Sequence, residues 1–420
     1  MAATSFRRNA SAPNGYMAAS NTALIPEIWS KDDYKFAFAA NPLAPFTGMK
    51  DTSIVQVNRD FKANKGSKIT FGLRGLDNSD GQGNDGVYEG NEVGMTFYDE
   101  SVEIAERGNS WLINGNSTEQ SAWKDLRSEN RDTARDWVGR VQGADCISAL
   151  SGLPTMSLSG KITGVRAVDA SSEYIETVNY VSSDGAAVDK SVTALRHFCG
   201  GQTKAGVVSR VSGDVLITSD TTCLFGTQVI EHVKRMAHTD IDGSGNFISP
   251  LRPVMVNGEP YYILFISRLQ EKALRGETAW INAVQNAGVR GDENPLFKAV
   301  DYIWNNVLVK VTDLIHSRYG ENGTTASESF EKSTTNFAID ICASGITVHR
   351  AIFCGAQAAC IAWGKMPVWK DGFRDWQQTK FGTHTNMIYG AKKSVFATGA
   401  GGADVAFGCI LIDTAVALDG

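Results

Sequence analysis

The chain has 420 residues, of which 42% are hydrophobic and 20% charged, as is ordinary for a folded protein of two or three domains. Its net charge of −6 argues against nucleic-acid binding as the main purpose, because phosphate neutralisation requires a strongly basic face. No apolar run reaches the roughly 18 residues of a membrane span, and residues 1–21 lack the apolar core of a signal peptide. Seven cysteines without metal-site spacing predict free thiols in a reducing compartment.

A two-stranded ribbon is predicted after an extended N-terminal arm of about 50 residues. Residues 68–73 alternate apolar and polar positions, and residues 95–97 and 102–104 do the same on the return. The connection at 76–92 is rich in Gly and Asp and is too long for a tight turn. Because an isolated ribbon is marginally stable and its own chain offers no obvious support, we expect it to lie on a neighbouring copy.

An unusually long amphipathic helix is predicted next, over residues 118–150. Ser117 and Gln120 have the spacing of a capping box. At 1.5 Å per residue the helix would run about 50 Å. Its core-facing side is predicted to pack through Trp123, Leu126, Trp137 and Val141, with Ala134, Ala144 and Ile147 on the same stripe.

The remaining pattern mixes strands and helices without regular βαβ spacing, which indicates an α+β class. Residues 153–222 look like an insertion, and 225–236 have helical spacing. The apolar run 261–266 predicts a buried strand, and two short helices follow at 268–275 and 278–287. Later strands are predicted at 303–311, 335–341, 346–353, 386–396 and 405–412, with a small-residue helix at 356–363.

No catalytic, cofactor-binding or metal-binding constellation is evident. The segment 240–246 resembles the first half of a calcium loop, but Leu251 stands where the bidentate Glu is required, so a plain turn is favoured and ion binding stays open. None of the six histidines forms a zinc-hydrolase pair, and no nucleophile elbow or phosphate loop is present. These patterns predict a protein that is not an enzyme.

Several short motifs, in order along the chain, resemble one family. They are KGSKITF at 65–71, Tyr88-Glu89-Gly90, YYILF at 261–265, NAVQ at 282–285, NPLF at 294–297, RAIFCGAQA at 350–358 and YGAKK at 389–393. Together with the ribbon and long helix, they resemble the major capsid proteins of tailed bacteriophages, in particular the podovirus-type family named after phage N-four.

The resemblance implies the Hong Kong 97-like capsid fold, in which the ribbon is the extension loop and the long helix is the spine of a peripheral domain. The ribbon would lie on an adjacent subunit, and its contacts are predicted at Arg74, Asp77, Asp85, Tyr88 and Glu89. No motif carries over the family founder's isopeptide crosslink, so none is expected. The implied boundaries are an arm at 1–50, the extension loop with flanking strands at 51–112, the spine helix at 113–152, an insertion (surface or axial) at 153–222, axial and peripheral parts at 223–300, a peripheral strand and loop at 301–345, an axial helix and strand at 346–368, and peripheral strands at 369–420.

The function implied is a virion subunit that assembles in the bacterial host cytoplasm into hexamers and pentamers of an icosahedral head. Its expected partners are copies of itself, with portal, scaffolding and decoration proteins as further candidates, no membrane, and only weak, non-specific contact with packaged double-stranded DNA. Two alternatives are an encapsulin-like nanocompartment shell and, more remotely, a cytosolic α+β hydrolase with its site in 153–240.

Overall fold

The computed structural model describes most of the chain from residue 43 onward. The described residues are 43–59, 68–75, 81, 83, 89–90, 92–113, 125–151, 196–203, 208–210, 217, 222–239, 249–256, 258–286, 301–312, 347–373, 376, 380–398 and 405–416. Residues 1–42 of the predicted arm, the capping box at Ser117 and Gln120, most of the insertion, the 240–246 turn and the strand at 335–341 lie outside them.

Seventeen strands and four α-helices make up the described residues, together with a 3-10 turn at Ala44–Phe46. The helices are α1 (Leu126–Ser151), α2 (Thr227–His238), α3 (Arg268–Arg275) and α4 (Thr278–Asn286). The strands are β1 (Thr47–Gly48), β2 (Val55–Asn58), β3 (Lys68–Arg74), β4 (Phe97–Glu103), β5 (Ala105–Ile113), β6 (His197–Gln202), β7 (Val208–Arg210), β8 (Val254–Val256), β9 (Glu259–Ile266), β10 (Tyr302–Trp304), β11 (Val307–Val311), β12 (Thr347–Cys354), β13 (Ala359–Phe373), β14 (Phe381–Lys393), β15 (Val395–Phe396), β16 (Val405–Ala406) and β17 (Cys409–Val416). Among these helices, none combines the length and apolar character needed to span a bilayer.

An eight-stranded mixed sheet is covered on both faces. Its order is β10-β11-β9-β12-β17-β6-β7, with β8 paired to β9. Tyr262 and Leu264 face a core built with α2, α3 and α4, whereas Ile263 and Phe265 face a second core that includes α1. Burial on both faces explains the continuous apolar run in β9, which the sequence predicted as a buried strand.

A five-stranded sheet supports the long helix α1. Its order is β1-β2-β13-β14-β5, and β13 and β14 form a long antiparallel hairpin. Trp137 of α1 meets Trp111 of β5 edge to face, with ring centroids 5.9 Å apart. Buried Asp145 of α1 accepts hydrogen bonds from Arg107 of β5 and from Tyr389 of β14. Burial, together with the Asp145 charge, raises the pKa of Tyr389 well above its usual range.

Three predicted elements differ from the structure, one of them the strand predicted at 303–311, which is the antiparallel hairpin of β10 and β11. The helix predicted at 356–363 is wrong: β13 begins at Ala359 and is hydrogen-bonded to β2 on one side and β14 on the other. Small apolar residues at this place fit a strand buried between neighbours, which periodicity alone does not distinguish from a buried helix. Helix α1 begins at Leu126 rather than 118, and Asp125 Oδ1 accepts the backbone N–H of Arg127 at 3.1 Å, as a capping side chain does.

A buried ion pair joins the eight-stranded sheet to the end of α1. Arg350 of β12 and Asp413 of β17 are 1% and 0% exposed, and Nε and Nη2 donate to the two carboxylate oxygens at 2.8 and 2.7 Å. The third guanidinium nitrogen, Nη1, donates to the backbone oxygen of Ser151, the last residue of α1, at 3.0 Å. A cation at this end of the helix also complements its dipole.

We expect Arg350→Met to lower the free energy of unfolding of the chain by about 3–5 kcal/mol, because it removes the counter-charge of buried Asp413. The double variant Arg350→Met/Asp413→Leu removes both charges and is expected to recover much of that loss. Urea unfolding followed by circular dichroism measures both changes. A double variant no more stable than the single one would contradict this account of the pair.

Candidate assembly surfaces

A serine and a histidine approach each other in the core, as a hydrolase would require. Ser267 Oγ lies 2.6 Å from His349 Nδ1, but the two residues are only 4% and 2% exposed. The same hydroxyl caps α3 by accepting the backbone N–H of Gln270. Gln270 in turn donates to the His349 backbone oxygen and to Thr414. This arrangement closes a helix end against the sheet and gives a substrate no access.

His349 is a core histidine. Burial lowers the pKa of His349 to about 4, so the imidazole is neutral at neutral pH. No cluster of three or more metal-ligating side chains occurs in the part of the chain that the structure describes.

The predicted ribbon is present as β3 and β4. Seven antiparallel pairs run from Lys68 opposite Glu103 to Arg74 opposite Phe97. Ile69, Phe71 and Leu73 alternate with exposed neighbours, which confirms the period-two pattern predicted from the sequence. The return strand is continuous from 97 to 103, and β5 then leaves the ribbon to join the five-stranded sheet.

The base of the ribbon rests on its own chain. Val102, 1% exposed, packs with Cys360 and Ala362 of β13, and Ile69 and Phe71 close over them. The expectation that the ribbon lacks support within its own chain is therefore wrong for its base. Periodicity could not show this support, because it comes from a hairpin more than 250 residues further along the chain.

Polar contacts also hold the ribbon base in place. Lys392 of β14 forms an ion pair with Glu100 and donates a hydrogen bond to the Ser101 backbone oxygen at 3.2 Å. Gly390 permits the close approach of β4, because a Cβ at that position would collide with the backbone oxygen of Glu103. The two strands are thus fixed at one end.

The far end of the ribbon is exposed. Val93, Met95 and Phe97 are 57%, 75% and 65% exposed, and Glu89 and Glu92 beside them are exposed too. Of the predicted contact residues, the structure places Arg74 and Glu89 on the ribbon surface, whereas Asp77, Asp85 and Tyr88 lie outside the described residues.

The predicted spine residues lie on α1 as far as the structure describes them. Val141 is fully buried, Leu126 is half-buried at the first turn, and Trp137 is half-buried against the same core. Trp123 lies outside the described residues.

The end of the β13–β14 hairpin is a second exposed apolar surface, which the sequence analysis missed. α1 covers one side of the hairpin: Arg127 lies 4.1 Å from the ring centroid of Phe381, and Arg131 Nε donates to Asp371 at 2.7 Å. The exposed large apolar side chains here are Met366, Val368, Trp369 and Phe373 of β13 and Trp376 between the two strands, the last of them 89% exposed. Their clustered tryptophans, in a region predicted only as peripheral strands, were the available sequence signal.

Comparison with solved structures identifies the fold. The chain is similar to the capsid protein of Ralstonia phage GP4 (TM-score 0.70, 20% identity, 98% of this chain and 99% of that one). It is also similar to that of cyanophage Pam1 (0.65, 19%, 95% and 98%) and of Helicobacter pylori bacteriophage KHP30 (0.60, 11%, 94% and 96%). The fold is therefore the Hong Kong 97-like fold of tailed-phage capsids, as the resemblance implied.

A family model described as "Phage capsid protein" matches residues 17–418. The chain belongs to the phage capsid protein family, and the role that follows is that of a tailed-phage major capsid protein. No curated protein sequence matches it significantly.

The burial of neutral His349 predicts acid sensitivity. Its pKa is about 4 in the folded chain against 6.5 for an ordinary histidine, so the unfolded chain takes up a proton that the folded chain does not. The contribution is constant above pH 6.5 and is lost progressively down to pH 4, by about 3 kcal/mol in all. Urea unfolding of the unassembled subunit across this range is expected to show a shallower loss for His349→Asn than for wild type. An equal loss of unfolding free energy with falling pH in the variant and the wild type would contradict this role of His349.

The close packing at Gly390 predicts that Gly390→Val displaces the ribbon base and costs about 1–3 kcal/mol of folding free energy. Gly372, on the same hairpin with open space around it, provides the matched control Gly372→Val. Limited proteolysis should show faster cleavage within residues 89–97 for the first variant only. Equal proteolysis and equal stability of the two variants would mean that β4 is not held there.

Proposed function

We propose that this major capsid protein assembles into the hexamers and pentamers of an icosahedral head that encloses double-stranded DNA, with the ribbon as an intersubunit clasp. The proposal that the ribbon is a clasp rests on the difference in burial between its two ends. Its base is buried by the β13–β14 hairpin, while its far end exposes Val93, Met95 and Phe97. Large apolar side chains clustered at an exposed strand end mark a contact surface.

A clasp at each subunit suits a closed symmetric shell, in which the same contact repeats at every interface. Many contacts that are individually weak then sum to strong retention of each subunit. We propose Arg74, Asp77, Asp85, Tyr88 and Glu89 as contact residues of the clasp, and Trp123 beside Leu126, Trp137 and Val141 as packing residues of the spine. The division into peripheral and axial domains stays a prediction.

The net charge of −6 supports only weak, non-specific contact with packaged DNA, because an acidic wall does not hold a polyanion. Assembly in the host cytoplasm, and the use of portal, scaffolding and decoration proteins, belong to the same proposal. The encapsulin-like alternative has no support among the comparisons. The hydrolase alternative, with its site expected in residues 153–240, has no support among the comparisons either.

Replacing residues 76–92 by a two-residue Asn-Gly turn is expected to leave a folded subunit that forms no closed shell, because the clasp no longer reaches its neighbour. Electron microscopy of purified protein under conditions in which the wild type forms shells measures assembly. Circular dichroism and thermal unfolding confirm that the variant is folded. Normal shells from the shortened ribbon would contradict the clasp, and a wild-type protein that stays monomeric at high concentration would contradict the shell itself.

A further inference from the structure

Two cysteines lie directly opposite each other at one end of the β12–β17 strand pair. The antiparallel register runs from Thr347 opposite Val416 to Cys354 opposite Cys409, which is the last pair of the ladder. Both cysteine side chains are fully buried, and both belong to the core that includes α1, so they lie on the same face of the sheet. The assembly surfaces do not involve this pair.

The two cysteines form the closer of the two kinds of antiparallel pair. Pairs that exchange backbone hydrogen bonds alternate with pairs that do not, and the Cα atoms of the second kind are about 4.5 Å apart. One position beyond the cysteines, the Gly355 N–H donates to the Gly408 oxygen at 2.8 Å. In β17 the Leu411 N–H donates at 3.0 Å to the Arg196 oxygen, toward β6 and away from β12. Both bonds place the cysteines in a pair of the second kind.

This spacing suits a disulfide. A disulfide joins Cα atoms roughly 4.4–6.8 Å apart and Cβ atoms roughly 3.5–4.5 Å apart. The Cβ atoms of opposite residues in an antiparallel pair are about 4.5–5.5 Å apart, and pairs without backbone hydrogen bonds have the shorter separations. Because the ladder ends at Cys354 and Cys409, the small approach that is still needed involves one end of the two strands.

The two thiols differ in their surroundings. Arg196, only 1% exposed, donates to the backbone oxygens of Ala406 at 3.1 Å and of Ser249, and its Nη1 has no hydrogen-bond partner among the described residues. Burial lowers the pKa of this guanidinium to about 10, and its attraction to Cys409 opposes that shift. The same attraction favours a thiolate at Cys409. Burial, together with the Cys409 charge, raises the pKa of Cys354 well above its usual range. Cys409 is therefore the better nucleophile of the two.

We propose that Cys354 and Cys409 form a disulfide once the protein has left the reducing cytoplasm of its host, with a peroxide as the oxidant. The Cys409 thiolate attacks one oxygen of hydrogen peroxide; the O–O bond breaks, a sulfenic acid forms, and the departing hydroxide takes up the thiol proton as water. The Cys354 sulfur then attacks the sulfenic sulfur, and its proton leaves with the hydroxyl as a second water. Two thiols are oxidised to one disulfide, and one peroxide is reduced to two water molecules.

The bond would reinforce the eight-stranded sheet. It closes a loop over residues 355–408, which contains the β13–β14 hairpin, and it joins one end of a ladder whose middle carries the Arg350–Asp413 ion pair. Such a closed loop lowers the conformational entropy of the unfolded chain. A subunit outside the host would therefore resist unfolding better than the same subunit during assembly. The inference goes beyond the proposed function and does not require the ribbon to be a clasp.

Peptide mapping tests the bond in the full-length protein. The protein is purified under reducing conditions, separated from the reductant, treated with hydrogen peroxide, alkylated and digested with trypsin without reduction. Cleavage after Arg350, Lys365 and Lys393 gives peptides 351–365 and 394–420, which contain Cys354 and Cys409 respectively. Mass spectrometry is expected to find the two peptides joined, and to find them separate after reduction.

A second cysteine in the first peptide requires a matched control. Peptide 351–365 also contains Cys360, which belongs to β13 rather than to the β12–β17 pair. The joined peptides are expected to persist in Cys360→Ala and to be absent in Cys354→Ala and in Cys409→Ala.

Thermal unfolding measures the consequence of the bond. The oxidised wild type is expected to melt at least about 3 °C above the reduced protein, whereas Cys354→Ala should melt at the same temperature in both states. Comparing the two states of each variant removes the effect of the substitution itself.

The outcomes decide the proposal. Alkylated thiols without joined peptides, a bond through Cys360, or equal melting temperatures of the oxidised and reduced wild type would overturn it. Particles that assemble normally but contain no joined peptides would overturn the disulfide and leave the capsid function intact.

Discussion

One buried charged contact ties three elements of the fold together: Arg350 bridges Asp413 and the last carbonyl of α1. A guanidinium away from water is tolerated only with its counter-charge and hydrogen-bond acceptors in place. This requirement fixes β12, β17 and the end of α1 relative to one another. α1 then crosses to the five-stranded sheet, where Asp145 binds Arg107 and Tyr389. The two sheets are thereby joined through a single helix and one shared core.

The position of α1 also determines which surfaces stay available. α1 covers one face of the five-stranded sheet, so the opposite face is left for the ribbon base and for Val368 at the exposed end of the hairpin. The ribbon likewise has a buried part and an exposed part. Val102 at its base is buried by the rest of the chain, whereas Met95 at its far end is exposed. The chain thus has its own buried core and also exposed apolar surface, as the building block of a repeating shell requires.

Much of this could be predicted from local pattern. Alternation identified β3, and the apolar run at 261–266 identified β9, because each pattern follows from the burial of one or both strand faces. The Ala- and Cys-rich start of β13 was predicted as a helix, since strand pairing with β2 and β14 involves distant residues that no local period reports. The same limitation hid the support that Cys360 and Ala362 give the ribbon, and the exposure of Trp376. Asp125 accepts a backbone N–H at the start of α1, whereas the capping box predicted at Ser117 and Gln120 lies outside the described residues.

Hydrogen–deuterium exchange, compared between unassembled subunits and assembled particles, tests most directly whether the ribbon is completed by a neighbouring copy. The backbone amides of β3 and β4 near Val102 are expected to be protected in both states, since the chain itself buries them. The amides from 89 to 97 should exchange quickly in the free subunit and become protected on assembly. Fast exchange of residues 89–97 in intact particles would contradict the proposal that the ribbon end contacts another subunit.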